Sequence, residues 1–144
     1  MLDPDQRTLY TDILTPPDGY VLDEAVAATY SVDPTTLLEV PVHLAQLAHR
    51  VSRGEADPEL AVYEGLRRAA SKLTVFCEAG RIDARGPTHL LYGLLEPVLV
   101  EVHAPRGGSF HPKFWVLRFS DPSGDGERRI RLAVLSRNLT ADRS

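Results

Sequence analysis

The sequence is poor in the residue types that announce several common functions. It has one cysteine, Cys77, in 144 residues, which excludes an internal disulfide framework and fits a reducing, cytoplasmic setting. Cys77 closes the stretch Leu73-Thr74-Val75-Phe76-Cys77, which reads as a buried strand, so its thiol is expected to pack as a small hydrophobe. Long apolar runs are missing too. The stretch from Val98 to Val102 is broken by Glu101 and is far too short to cross a bilayer. Met1-Leu2-Asp3-Pro4-Asp5 lacks the basic and apolar regions of a secretory signal. No metal is expected: there is no H-E-x-x-H, and His43 and His49, six apart, miss the i, i+4 spacing of a helical ligand pair. Asp121 and Asp125 fall in a Gly-rich turn, where acids are common for conformational reasons. Phosphate-binding and dinucleotide glycine fingerprints are absent, so nucleotide-driven work by this chain is not expected.

Positive charge is also short overall, with 16 Lys and Arg against 20 Asp and Glu, a net charge of −4. Taken alone, that argues against bulk attraction to a polyanion. The distribution differs from the total. From Ala104 to Ser144 there are eight basic side chains against four acids, a local charge of +4, which leaves −8 for the remainder. A local basic region is what a phosphate-recognising surface needs, and Arg-rich strands can equally be solvated outer faces.

The chain length suits one domain with a sizeable core. Residues 1 to 18 read as a mostly polar arm with a short helical turn, closed by the breaker Thr15-Pro16-Pro17-Asp18-Gly19. Extended structure is expected from Tyr20, with a second short extended piece at Ala27 to Tyr30, and its Thr/Tyr/Ser tail points to a strand near a site. Asp33-Pro34 is a helix start, with Asp33 as the cap and Pro34 at the first helical position. Leu37, Val40, Leu44, Leu47 and Val51 then recur at helical spacing, and Pro41 is expected to kink or restart that helix. A second helix is expected from Asp57-Pro58 with Leu60, Tyr63, Leu66, Ala70 and Leu73 as its apolar stripe. Strands follow at Leu73 to Cys77 and Pro97 to Pro105, with a short helix or turn at His89 to Pro97 between them. Arg106-Gly107-Gly108-Ser109 is expected to be a hairpin turn into a strand carrying His111. Asp121 to Glu127 is expected to be the next hairpin loop. The pattern implies an α/β fold, a mixed β-sheet flanked by helices.

The chemistry-bearing residues cluster in one stretch, GGSFHPKFWVLRF, followed after the Gly/Asp-rich turn by RIRLAVLSRNLT. Alternation along an extended chain puts His111 and Lys113 on the same side. If the two flanking strands pair as a hairpin, its open end also brings Ser136 and Asn138 near them. An imidazole, an ammonium and a carboxamide at one strand end suit a phosphate group: a nucleophile or proton shuttle, a counter-charge and a neutral donor.

His111-Pro112-Lys113 with Ser136-Arg137-Asn138 resembles the half-site signature of the phospholipase D superfamily, H-x-K followed by G-S-x-N. The wording is most similar to the bacterial nuclease or phosphodiesterase branch. Arg118 stands where the fuller signature has Asp, and Leu135 where it has Gly. The resemblance implies one phospholipase D-like half-domain spanning 1–144, either the first half of a longer protein or one protomer of a homodimer. It implies phosphodiester cleavage without metal or cofactor through a phosphohistidine. His111, Lys113 and Asn138 would be catalytic, and Lys113, Ser136 and Asn138 would bind phosphate. Arg118 and Arg137 are the expected nucleic-acid contacts. Nucleic acid is favoured over lipid because no membrane-docking stretch is present. No second H-x-K occurs, so a complete site needs a second copy or a C-terminal second half. The alternative expectation is a catalytically silent module of the same fold that binds nucleic acid or a protein partner. A third is an unrelated α/β domain in which H-x-K is accidental.

Overall fold

The computed structural model describes residues 12–51, 58–84 and 89–140. Five strands are present: β1 (Val21–Ala28), β2 (Leu73–Glu78), β3 (Leu99–Val102), β4 (Phe114–Ser120) and β5 (Arg129–Val134). Two helices, α1 (Pro34–Val51) and α2 (Pro58–Ser71), lie between β1 and β2 in sequence. The strands form one sheet in the order β3-β2-β1-β4-β5. β1 pairs in parallel with β2, and β2 with β3, whereas β4 runs antiparallel to both β1 and β5. The fold is α/β with a mixed sheet.

Alternation decides which side of the sheet is filled. Ala25 and Ala27 of β1 stand opposite Leu73 and Val75 on one side and Leu117 and Trp115 on the other. All six are buried, as are Cys77 and Phe119 in the same phase. Small residues on the central strand let Trp115 and the helices approach it closely. Leu37, Val40 and Leu44 of α1 and Ala69 and Ala70 of α2 complete this core. The helices thus cover one face of the sheet rather than both. On the opposite phase Ile130, Leu132 and Val134 of the edge strand β5 are 64–77% exposed.

Local chemistry accounts for the start of α1. The Asp33 carboxylate accepts the Thr35 backbone N–H at 2.9 Å, which caps α1. The corresponding cap at Asp57 lies outside the described residues. α1 runs through Pro41 without a break, and Pro41 is itself fully buried. Packing therefore holds the helix across a residue that donates no backbone hydrogen bond. Tyr63, expected in the α2 stripe, is 46% exposed, while Leu66 and Ala70 are buried. Cys77 is buried, and burial pushes its thiol above the ordinary range, with Glu101 adding to the shift. No helix among the described residues is long and apolar enough to cross a membrane.

The described end of the arm has the expected short helical turn, at residues 12–14, and that turn is packed: Ile13 and Leu14 are buried, and Arg131 Nη1 donates to the Asp12, Ile13 and Thr15 carbonyls at 3.2, 2.7 and 2.7 Å. One expectation fails for a topological reason: Arg106 to Ser109 is not a hairpin turn. β3 pairs only with β2, so the chain leaving β3 at one edge must reach β4 three positions away, a span of about 14 Å at the usual strand spacing. Residues 103–113 make that crossing over the ends of β2 and β1. The turn at Pro105–Gly107 is 3-10, with Arg106 and Gly107 at positive φ. His111 and Lys113 therefore sit in an extended lead-in, and β4 begins only at Phe114.

Candidate functional site

The direction of the strands puts four chain segments at one end of the sheet. β1, β2, β3 and β5 all finish there, and β4 starts there. Open α/β sheets tend to bind ligands outside the carboxyl ends of their strands, next to the point where the winding changes. Here that point lies at β1, between its parallel partner β2 and its antiparallel partner β4. The segments after β1, after β2, before β4 and after β5 converge on it.

The segment before β4 supplies the imidazole and the ammonium. Lys113 Nζ lies 2.8 Å from His111 Nδ1. An ammonium has only donors to offer, so this contact makes Nδ1 the acceptor and puts the proton of a neutral ring on Nε2. No carboxylate among the described residues forms an ion pair with Lys113 or His111. The segment is pinned where it crosses β2, since Ser109 Oγ donates to Glu78 Oε2 at 3.0 Å.

The segment after β1 supplies the floor. The Tyr30 ring lies against the His111 ring, with centroids 4.5 Å apart and planes tilted by 34°. The guanidinium of Arg81, from the turn after β2, sits 5.0 Å from the Tyr30 centroid. Gly80, at positive φ, makes that turn possible by taking a conformation that side-chain-bearing residues rarely adopt.

The segment after β5 brings the carboxamide. Leu135 N–H donates to the Lys113 carbonyl at 2.8 Å, so the β4–β5 ladder carries on to the foot of the site. Asn138 Oδ1 accepts the Tyr30 backbone N–H at 3.2 Å, with Thr29 Oγ1 at 3.3 Å beside it. Thr29, 2% exposed, also accepts the Leu139 N–H at 3.1 Å and donates to the Ser31 carbonyl at 2.9 Å. With its oxygen held, Asn138 keeps its two N–H donors for a ligand. Tyr30 is the shared neighbour: its ring touches His111 and its backbone holds Asn138.

The site expected from sequence therefore assembles in part. His111, Lys113 and Asn138 come together. Ser136 is exposed just past the Leu135–Lys113 pairing, and among the described residues no hydrogen bond ties it to the cluster. Arg137 is exposed on the same turn. Arg118 is elsewhere. Five residues along β4 from Lys113, about 17 Å at the strand rise, it lies near the start of β1. There Nη2 is 3.4 Å from Glu24 and Nε is 3.5 Å from Asp23, at ion-pair distance but without hydrogen-bond geometry. It belongs to a different cluster from His111. Sequence reasoning missed Tyr30, Thr29 and Arg81 as components. The Thr/Tyr/Ser tail of the first strand was the signal for two of them; no local pattern singles out Arg81.

Among the described residues no group of three or more His, Cys, Asp or Glu side chains is arranged to hold a metal ion. Comparison with protein-family models, with curated proteins and with solved structures found no match to this chain.

Proposed function

We propose that this chain is a half-domain of a metal-independent phosphodiesterase of the phospholipase D type, acting on nucleic acid. The observation that carries the reading is the pairing of His111 and Lys113 over Tyr30, with Asn138 anchored to the same residue. A phosphodiester placed there meets one cation, one imidazole and one oriented amide within a single cluster. Lys113 would neutralise the non-bridging oxygens and Asn138 would donate to them as charge builds in the transition state.

The resting contact between Lys113 and Nδ1 has a consequence for the order of events. While it stands, the proton of the neutral ring is on Nε2, which then cannot attack. An arriving phosphate competes for the ammonium, and once Lys113 turns to it Nδ1 can carry the ring proton. The Nε2 lone pair then attacks phosphorus, and the bond to the leaving oxygen breaks. That oxygen takes a proton from an imidazolium on the other half-site. Water attacks the phosphohistidine, returns its proton to that second imidazole and restores His111. The second imidazole comes from another copy of this chain or from a second half-domain.

The test is cleavage of labelled single-stranded DNA in excess EDTA by wild type and by His111→Ala. The reading expects cleavage that resists EDTA, falls by at least about a thousandfold in the variant, and leaves a labelled DNA fragment on the wild-type protein through an acid-labile P–N bond under rapid quench. EDTA-sensitive cleavage, or cleavage retained by His111→Ala, would remove His111 from the chemistry.

A further inference from the structure

We infer that Arg81, held on the face of Tyr30, is a second phosphate subsite that receives the phosphate next to the one at His111 and Lys113. This rests on the preceding reading of the His111 cluster. It adds the claim that the ligand is a strand carrying successive phosphates rather than an ester with only one.

Three observations support it. The first is position. The Tyr30 ring contacts both groups, with centroid distances of 5.0 Å to the Arg81 guanidinium carbon and 4.5 Å to the imidazole. Arg81 is thus within about 10 Å of His111, the range in which neighbouring phosphates of one strand can reach both. The second is availability. Among the described residues Arg81 forms no salt bridge, and its one recorded side-chain partner is the Tyr30 ring. Glu78, at the end of β2, is engaged by the Ser109 hydroxyl. An arginine lying on an aromatic ring keeps its in-plane N–H donors for an anion, since cation–π contact uses the face of the guanidinium. The third is support. The turn bearing Arg81 is braced from below: the Val32 N–H donates to the Arg81 carbonyl at 3.1 Å, and the Arg81 N–H donates to Glu78 O at 3.1 Å. The backbone under the guanidinium is therefore positioned by the sheet.

The test compares a ligand with one phosphodiester, thymidylyl-thymidine, and one with four, pentathymidine tetraphosphodiester. Affinity is read by fluorescence anisotropy of labelled forms on wild type, Arg81→Ala and Arg81→Lys. Arg81→Ala is expected to weaken the longer ligand about tenfold and to make its salt dependence shallower by about 0.7 in log–log slope. Thymidylyl-thymidine should bind as to wild type, and Arg81→Lys should recover most of the loss. An equal loss for both ligands would put Arg81 on the reacting phosphate itself, and no loss for either would put it outside the site; both results overturn the subsite. Because the readout is binding, it separates from the cleavage test. Loss of the longer ligand in a protein that cleaves nothing would sink the proposed reaction and keep the subsite.

Discussion

At the end of the sheet where β1 begins, Arg118 lies between Asp23 and Glu24 and Lys72 Nζ donates to the Leu22 carbonyl, while Arg129, like Arg81, rests on an aromatic ring, that of Tyr20. Nearby in mid-strand, Arg131 Nη1 is shared among three carbonyls of the arm. At the end where β1 finishes, Lys113 has a neutral imidazole for a partner and Arg81 an aromatic ring. At the first end the Arg118 charge is offset by two carboxylates and Lys72 closes a backbone acceptor. At the second end Lys113 and Arg81 have no carboxylate partner among the described residues, so an arriving anion displaces only weak contacts. Counting basic residues along the chain would place a polyanion on β4 and β5. Counting unspent charge places it on the loops above β1.

That contrast can be broken most severely at Asn138. Asn138→Asp keeps the oxygen that accepts from Tyr30 but replaces the amide donors with a second acceptor bearing negative charge. The expected outcome is a fold retained by circular dichroism and a rate of DNA cleavage reduced by about a hundredfold, the usual loss of one transition-state donor. Thr29→Val attacks the same end through its support. It leaves the Leu139 N–H without an acceptor in a buried position, and chemical denaturation should register about 1–3 kcal/mol of lost stability. An unchanged midpoint would mean that Thr29 is not what holds the Asn138 loop.

At the opposite end the effects should be small. Arg118→Gln removes a partly exposed charge and leaves Asp23 and Glu24 without that counter-charge, at a cost of at most about 1 kcal/mol. Affinity for pentathymidine should not fall, and a drop like that of Arg81→Ala would erase the distinction between the two ends. The smallest effect lies in the β4–β5 hairpin. Asp121 is held below the ordinary carboxylate range by the Ser123 backbone N–H at 2.9 Å, with the Ser123 hydroxyl at 2.8 Å adding to the shift. A depressed carboxylate stabilises the fold above its unfolded titration range and loses that contribution as pH falls through its folded one. Ser123→Ala should raise the Asp121 titration seen by NMR and leave neutral-pH stability almost untouched.

How much of this was legible beforehand follows from what each feature depends on. The Asp33 cap, the α1 stripe of Leu37, Val40 and Leu44, and the β4–β5 hairpin depend on neighbours in sequence, and their residue patterns point to them directly. His111 and Lys113 share a side by local geometry, and Asn138 joins them through the hairpin. The path from β3 to β4 was not legible, because Arg106-Gly107-Gly108 has the composition of a tight turn whichever strand comes next. Only the pairing of Leu99 to Val102 with β2 sends that segment across the sheet. Tyr30 and Arg81 were hidden for the same reason. They are 51 residues apart and meet because β1 and β2 end side by side. Arg118 misled in the opposite sense: its place in the motif suggested a ligand contact, and its register opposite Glu24 on β4 makes it half of an ion-pair cluster.

The most direct test of the contrast between the two ends is a titration of inorganic phosphate into isotope-labelled protein, followed by NMR. The account predicts shifts confined to Tyr30, Arg81, His111, Lys113 and Asn138, with the His111 ring nitrogens responding as Lys113 leaves Nδ1. Shifts centred on Arg118 and its neighbours, or none at the His111 end, would contradict it.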